Sequence, residues 1–194
     1  MRPITVRPTR IDKDVSRAIA RHTDARVEHG AELVTWGADE HVLLLAASIG
    51  WLVTRKADAP VRRFGTHVLL CSAASAVLPH LLKTLINQER PDRCTVQGHW
   101  RGIPFSGKAD DAFPSGHAVH VGALASAATL LPPKAQAAVW ATGALLVTTR
   151  VVLLAHWVTD VLAGLATGVL LERLLRRVTK PSPPLASRVR LARR

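Results

Sequence analysis

Three short blocks of the sequence, far apart along the chain, contain residue types that suit the handling of a phosphate group. Phosphoryl transfer needs cations to clamp the charged group, a nucleophile, a proton donor and an orienting group. The blocks supply these groups in order along the chain: Lys83 and Arg90; Pro114, Ser115, Gly116 and His117; Arg150, His156 and Asp160. The sequence therefore predicts one phosphate site assembled from distant segments.

The cations of the first and third blocks, Lys83, Arg90 and Arg150, could bind a phosphate or could simply lie at a membrane interface. Lys83 and Arg90 are seven positions apart, so a helix continuing to Pro91 would place both on one face. A basic side chain at the end of an apolar run also extends to a membrane interface, and Arg150 has the same ambiguous position. Convergence of all three cations on one membrane face favours the phosphate site.

The Pro-Ser-Gly-His block predicts a helix start, where free backbone N–H groups attract an anion. Gly116 lets a phosphate approach the backbone, and Ser115 can donate a hydrogen bond. An ordinary helix cap and a surface histidine at His117 are the structural alternatives.

His156 and Asp160 have an i, i+4 spacing, which places them on one face of a helix. A carboxylate bonded to one ring nitrogen leaves the other nitrogen free as a nucleophile. A helix-stabilising pair is the alternative. A metal site on this His/Asp pair is another, with His120, about one turn after His117, as the obvious further candidate, but the sequence offers no convincing third and fourth ligands.

Apolar runs separate these blocks and predict how they are positioned. Hydrophobic residues make up 48% of the 194 residues, and the runs lack the regular polar positions of soluble amphipathic helices. The runs are Val42–Val53, Val68–Leu82, Ala118–Leu131, Ala137–Val152 and Val158–Leu171. We therefore predict an all-α, polytopic membrane bundle of about five transmembrane helices plus an N-terminal amphipathic helix from Ile11 to about Gly30.

Three regions are expected along the chain. Residues 1–35 form an N-terminal amphipathic or interfacial segment with breaks at Gly30 and Gly37. Residues 36–177 form the transmembrane catalytic core, and residues 178–194 form a basic, disordered tail. Cys71 and Cys94 predict no disulfide framework, and the start of the chain lacks the apolar stretch of a cleaved signal peptide.

The net charge of +12 indicates a membrane surface or nucleic acid as partner. Basic residues flank the apolar runs, no nucleic-acid-binding motif is present and aromatic residues are 4%, which favours membrane lipids. Five membrane crossings place the three blocks on one side of the membrane. The opposite side carries more basic residues, so the positive-inside rule predicts that it is cytoplasmic. The N-terminal segment lies on the site's side by this count, despite its own arginines. The oligomeric state is left open.

Together the blocks resemble the type 2 phosphatidic acid phosphatase superfamily, which also includes vanadium haloperoxidases. The family pattern is Lys, six residues and Arg-Pro, then Pro-Ser-Gly-His, then Ser-Arg, five residues, His, three residues and Asp. This chain matches it except for Thr149 in place of Ser, which keeps the hydroxyl. The resemblance covers roughly residues 66–175.

The resemblance implies a role for each block. His156 would attack phosphorus and form a phosphohistidine, Asp160 would orient it, and His117 would protonate the leaving oxygen. The substrate-binding residues would hold the phosphate: Lys83, Arg90, Ser115, Gly116 and Arg150. No metal or other cofactor is implied.

The expected function is an integral-membrane lipid phosphatase in a bacterial-type inner membrane, with its site outside the cytoplasm. Undecaprenyl diphosphate, the cell-wall lipid carrier, is the first expected substrate. Phosphatidylglycerophosphate, phosphatidate and prenyl-phosphosugars are alternatives, since the motifs contact only the phosphate. A soluble haloperoxidase or a non-catalytic lipid-binding protein are the competing classes. Cations of the loop Asn87–Phe113 are expected to bind a headgroup or second phosphate: Arg93, Arg101 and Lys108.

Overall fold

The computed structural model describes residues 3–92 and 110–183. The predicted all-α class is confirmed, with helices α1 Arg10–His22, α2 Ala25–Thr35, α3 Glu40–Thr54, α4 Ala59–Leu85, α5 Gly116–Ala127, α6 Pro133–Val152 and α7 Val158–Thr179. Two 3₁₀ turns lie at Trp36–Ala38 and Ala128–Leu130. Two short strands, β1 Ile4–Thr5 and β2 Ile86–Asn87, pair in parallel.

Helix α5 lies at the centre of the bundle, packed against α4, α6 and α7. The contact between α5 and α7 is close because glycines remove the side chains that would separate the two backbones. A Cβ atom at Gly164 would collide with the Ser115 carbonyl, and one at Gly168 with the Val119 carbonyl. This close approach places the start of α5, with Ser115 and His117, against the start of α7.

The bundle buries small and polar side chains and exposes large apolar ones. Alanines occupy most of the buried hydrophobic positions, whereas Leu45, Leu81 and Leu145 are 62%, 58% and 62% exposed. Small residues at helix contacts and an apolar exterior are characteristic of helices surrounded by lipid. Contiguous apolar surface of this kind is unfavourable in water. The fold is therefore that of a membrane helix bundle.

Among the described residues, α4 and α6 are long and apolar enough to cross a membrane. The other expected spans correspond to helices that are shorter or more charged. Helix α3 has 15 residues and α5 has 12, while α7 has 22 but contains Glu172 and Arg176. Five crossings remain a prediction.

The N-terminal region contains two helices, so the prediction of one helix broken at Gly30 is wrong. The chain turns at Thr23 and Asp24, because the Asp24 carboxylate accepts hydrogen bonds from the backbone N–H groups of Arg26 and Val27. Gly30 lies inside α2, and Gly37 lies in the following 3₁₀ turn.

A buried polar cluster joins the ends of α4, α5 and α7 that lie away from the phosphate blocks. Glu172 Oε1 accepts from Arg176 at 2.6 Å and lies 2.8 Å from His67 Nε2, and Glu172 Oε2 accepts from Ser126 at 2.6 Å. Arg176 also donates to the Ser126 carbonyl at 2.7 Å, and His67 Nδ1 lies 2.8 Å from the Thr179 hydroxyl. Both Glu172 oxygens are thus satisfied, which lets the bundle bury a carboxylate.

Candidate active site

The cations of the first block meet at Asp111, although they do not share a helix. Arg90 donates from Nε and Nη2 to Asp111 Oδ1 at 3.0 and 2.8 Å, and Lys83 Nζ lies 3.8 Å from Asp111 Oδ2. Arg90 also donates to the Ala155 carbonyl at 3.2 Å, which connects the first block to the third. Asp111 therefore holds two of the three predicted cations together.

Helix α4 ends at Leu85, so the expectation of a helix continuing to Pro91 is wrong. The backbone turns extended because Ile86 and Asn87 pair with Ile4 and Thr5 of the N-terminal segment. The next residue, Gln88, is also extended and pairs with the segment around Asp111. Gln88 N donates to the Asp110 carbonyl at 3.2 Å, and Ala112 N donates to the Gln88 carbonyl at 3.0 Å. These bonds place Asp111 and Ala112 beside the first block.

The second block starts helix α5 as the sequence predicts. Ser115 N donates to the Asp160 carbonyl at 3.2 Å, which ties the second block to the third. Ser115 Oγ is fully buried and makes no hydrogen bond to the described residues, so it is available to a phosphate oxygen. A Cβ atom at Gly116 would lie 3.6 Å from Pro79, an ordinary contact, so the protein itself does not exclude a side chain there.

Arg150 is 2% exposed and lies near the end of α6. Its Nη1 donates to the Thr35 hydroxyl at 3.1 Å, and its carbonyl accepts from the backbone N–H groups of Ala155 and His156. Thr149, where the family pattern has Ser, donates from its hydroxyl to the Leu146 carbonyl at 2.6 Å. The hydroxyl at position 149 is therefore used within the helix, a role that Ser and Thr both fulfil.

His156 precedes α7 and is held by a backbone carbonyl. Its Nδ1 lies 2.7 Å from the Ala112 oxygen, and because a carbonyl only accepts, Nδ1 carries the proton. The unprotonated lone pair of a neutral ring is then on Nε2. The expected pairing on one helical face does not occur, since α7 begins after His156, at Val158.

Asp160 lies close to His156 but is engaged in capping α7. Its Oδ2 accepts from the Trp157 backbone N–H at 2.8 Å and lies 3.7 Å from His156 Nδ1. The Gln88 amide is a further neighbour of this carboxyl group. Asp160 thus caps the start of α7 beside the ring, while the hydrogen bond that fixes the tautomer goes to Ala112.

The local field keeps the His156 imidazole neutral. Burial, followed by the positive charges of Arg90, Arg150 and Lys83, lowers the pKa of His156 well below its ordinary value of 6.5. The same three cations act on His117, so both histidines lie in the field of one cationic cluster. A neutral ring with a free Nε2 beside three cations is suited to attack on a bound phosphate.

The structure gives His120 a packing role. Its ring is buried, and Nε2 donates to the Ser72 carbonyl of α4 at 3.1 Å. Within residues 3–92 and 110–183, the acidic, histidine and cysteine side chains form no group of three or more that could hold a metal ion.

Sequence reasoning missed Asp111, the Ala112 carbonyl and the N-terminal contacts. Asp111 is one acid of an adjacent pair with no distinguishing spacing, and a backbone carbonyl leaves no trace in residue types. Arg93, Arg101 and Lys108, predicted to contact a headgroup, lie outside the described residues, as do Cys94 and residues 184–194.

The model of the PAP2 superfamily matches residues 64–183, which include all three blocks. The chain belongs to the PAP2 superfamily.

Two curated proteins similar to this chain are both named lipid A 1-phosphatase. A lipid A 1-phosphatase of Rhizobium johnstonii is 33% identical over 162 residues, which cover 77% of this chain and 66% of that protein. A lipid A 1-phosphatase of Rhizobium etli is 41% identical over 105 residues, covering 54% and 45% of the two chains. This PAP2 chain therefore spans less than two thirds of the length of these relatives.

Two crystal structures share the fold of this PAP2 chain. The transmembrane PAP2-type phosphatidylglycerolphosphate phosphatase of Bacillus subtilis has a TM-score of 0.63 at 22% identity, covering 87% of this chain and 84% of that one. Aquifex aeolicus LpxE has a TM-score of 0.63 at 16% identity, covering 84% and 93%. These similarities confirm the membrane-bundle fold expected from the apolar runs.

Proposed function

We propose that this protein hydrolyses a phosphate group from a membrane lipid through a phosphohistidine at His156. The observation that carries the proposal is the geometry of that ring: Nδ1 donates to the Ala112 carbonyl at 2.7 Å, which leaves the Nε2 lone pair for attack. Burial and the surrounding charges of Arg90, Arg150 and Lys83 keep the ring neutral, and the same charges would attract the phosphate.

The reaction proceeds in two displacements. In the first, His156 Nε2 attacks phosphorus and the bond from phosphorus to the lipid oxygen breaks. His117, which must be an imidazolium once the anionic substrate offsets the cations around it, gives a proton to that oxygen. In the second, water attacks the phosphohistidine, the P–N bond breaks, and His117 accepts the proton of the water. Inorganic phosphate leaves, and both histidines return to their starting states.

The substrate-binding set stabilises the charge that develops on the phosphoryl oxygens. Lys83, Arg90 and Arg150 are the cations, while Ser115 Oγ and the Gly116 N–H are neutral donors. Buried Ser115 Oγ has no hydrogen-bond partner within residues 3–92 and 110–183, which supports this assignment, because a buried hydroxyl without a partner is costly. Room for a Cβ at Gly116 supports it too, because a glycine there serves close approach of a ligand better than packing.

A lipid A-type glycolipid 1-phosphate is the first candidate substrate, because both curated relatives described above carry that activity in their names. Undecaprenyl diphosphate, expected from the sequence, is not favoured by any of these relatives. It remains an alternative with phosphatidylglycerophosphate, phosphatidate and prenyl-phosphosugars, since the roles proposed for the described site residues concern the phosphate and not the rest of the lipid.

The proposed location is a bacterial inner membrane, crossed several times, with the site on the extracytoplasmic side. With the N-terminal segment set aside, since its own basic residues lie on the site's side, basic residues concentrate at the bundle end opposite the site: Arg55, Lys56, Arg62, Arg63, Lys134, Arg173, Arg176, Arg177 and Lys180. The positive-inside rule assigns that end to the cytoplasm. Proposed partners are therefore the substrate lipid and the surrounding membrane lipids.

Phosphate release by detergent-purified protein tests the proposal. The panel contains lipid A, undecaprenyl diphosphate, phosphatidylglycerophosphate, phosphatidate and a prenyl-phosphosugar, each with and without a chelator. We expect turnover of at least one lipid, lost in His156→Ala and unaffected by the chelator. Turnover that persists in His156→Ala would overturn the assigned nucleophile, and no turnover of any lipid would overturn the proposed activity.

A further inference from the structure

We propose that the N-terminal segment, defined here as residues 3–22, is a positioning part of the active site and that it acts through Asp12. The segment lies outside residues 64–183, the part matched by the PAP2 superfamily. The inference rests on the proposed function, since a positioning role requires the phosphatase reaction.

Asp12 is a buried acid that joins α1 to the start of α7. It is 1% exposed, and its Oδ1 accepts from the Thr159 backbone N–H at 3.0 Å. Its Oδ2 accepts from the hydroxyls of Thr159 and Thr9, both at 2.8 Å, and from the Thr9 backbone N–H at 2.9 Å. One carboxylate thus caps its own helix and a second helix 147 residues away.

The second of these helices, α7, begins two residues after His156 and contains Asp160. The first N–H groups of a helix have no partner within it, and a negative charge near them is favourable. Thr159 is the residue before Asp160 and lies three positions after His156. Asp12 therefore fixes the turn that carries the carboxylate and the nucleophile.

The hydrogen bonds of Asp12 keep its charge in place. Burial alone would raise its pKa, but the hydrogen bonds from Thr159 and Thr9 outweigh burial and lower the pKa of Asp12 from its ordinary value. The carboxylate is therefore ionised at neutral pH and can serve as acceptor in all four bonds.

A second contact of the same segment reaches the other side of His156. Strand β1 pairs with β2, and Val6 N donates to the Asn87 carbonyl at 2.9 Å. Gln88, the next residue, exchanges backbone hydrogen bonds with Asp110 and Ala112. The Ala112 carbonyl accepts from His156 Nδ1, so the N-terminal segment supports both the acceptor of the ring and the helix that follows it.

The geometry indicates how loss of Asp12 acts. Without the carboxylate, the backbone N–H and the hydroxyl of Thr159 at the start of α7 lose their acceptors. The position of His156 relative to the predicted phosphate-binding residues is then less well fixed. A misplacement of about 1 Å can cost about 10²-fold in rate. The effect should fall on the chemical step, because the hydrogen bonds shown for the Asp12 carboxylate go to Thr9 and Thr159, which are not among the predicted phosphate-binding residues.

The test compares Asp12→Ala with Asp14→Asn, whose side chain is 73% exposed and pairs with Arg17 on the surface. In the full chain, we expect Asp12→Ala to lower kcat by about 10²-fold with KM changed less than about threefold, and Asp14→Asn to stay within about twofold. Hydrogen exchange of peptides covering residues 156–161 should rise in Asp12→Ala only.

A matched pair at Thr159 keeps the test informative if Asp12→Ala folds poorly. Thr159→Val removes the hydroxyl that donates to Asp12 at 2.8 Å and preserves the shape, whereas Thr159→Ser retains the donor. We expect a fall in kcat of about tenfold for Val and less than about twofold for Ser.

Two results would overturn the inference: Asp12→Ala, as folded as the parent protein, with unchanged kcat, or equal losses in the Val and Ser variants. An inactive parent protein would instead overturn the proposed function, so the two failures are distinguishable.

Discussion

The Nδ1 atom of His156 lies 2.7 Å from the carbonyl oxygen of Ala112, whereas the nearer oxygen of Asp160 lies 3.7 Å away. The tautomer of the proposed nucleophile is therefore set by the main chain. Asp160 caps α7, and its removal should not reverse the tautomer.

Replacement of Asp160 should consequently cost less than in sites where a carboxylate fixes the histidine tautomer, where Asp→Asn lowers kcat by about 10⁴-fold. We expect Asp160→Asn to reduce kcat by about 10–10³-fold, since the amide oxygen can still cap Trp157 N. Initial rates of phosphate release measure this, with His156→Ala as the zero-activity control. A loss as complete as that of His156→Ala would show that Asp160, and not Ala112, orients the ring.

Gly116→Ala should damage binding of phosphate without damaging the fold. The added Cβ lies 3.6 Å from Pro79, a tolerable contact, but it projects where we propose the phosphate approaches the backbone. We expect kcat/KM to fall by about 10–100-fold, with an unchanged thermal unfolding midpoint.

Gly30→Ala is the matched control, because a Cβ at Gly30 has no neighbour within 4 Å among the described residues. Alanine inside α2 should stabilise the fold by about 0.5–1 kcal/mol and leave activity unchanged. Equal activity of the two variants would remove Gly116 from the site.

Glu172→Ala should destabilise the bundle, because it leaves His67, Ser126 and Arg176 without their shared buried acceptor. Breaking a buried pair costs about 3–5 kcal/mol, which corresponds to a drop in the unfolding midpoint of about 10 °C. Thermal unfolding in detergent measures the drop. Glu32→Gln is the control, since Glu32 pairs with His29 on the surface, where a pair contributes about 0–1 kcal/mol. Equal midpoints for the two variants would contradict the structural role of the cluster.

Asp111→Asn should make the site bind inorganic phosphate more tightly. The amide oxygen can still accept from Arg90, but the negative charge that offsets Arg90 and Lys83 is lost. We expect the inhibition constant for phosphate to fall by about tenfold, equivalent to about 1.4 kcal/mol. Competition assays at constant ionic strength measure it, and a weaker or unchanged inhibition constant would show that Asp111 does not moderate the cationic cluster.

The sequence predicts the helices and the meeting of the three blocks because both follow from local composition and from the order of apolar runs. It fails where a distant partner decides the backbone. The sequence allows α4 to continue to Pro91, but the pairing of Ile86 with Ile4 ends the helix at Leu85. The i, i+4 spacing suggests a helical pair, yet Asp160 caps the helix start and leaves His156 outside it.

Asp12 illustrates the same limit. Its neighbours in sequence make it look like one charge on the polar face of an amphipathic helix, and its burial depends on Thr159, 147 residues away. Such contacts are set by tertiary packing, which residue spacing does not encode.

The most direct test of the central claim is to trap the phosphoenzyme. The protein is mixed with a lipid that it hydrolyses and that carries a labelled phosphate, and the reaction is quenched in base within one turnover. The protein is then digested and the labelled peptide is sequenced. We predict an acid-labile, base-stable label on His156, absent from His156→Ala. A label on another residue, or phosphate release at the parent rate by His156→Ala, would contradict the account.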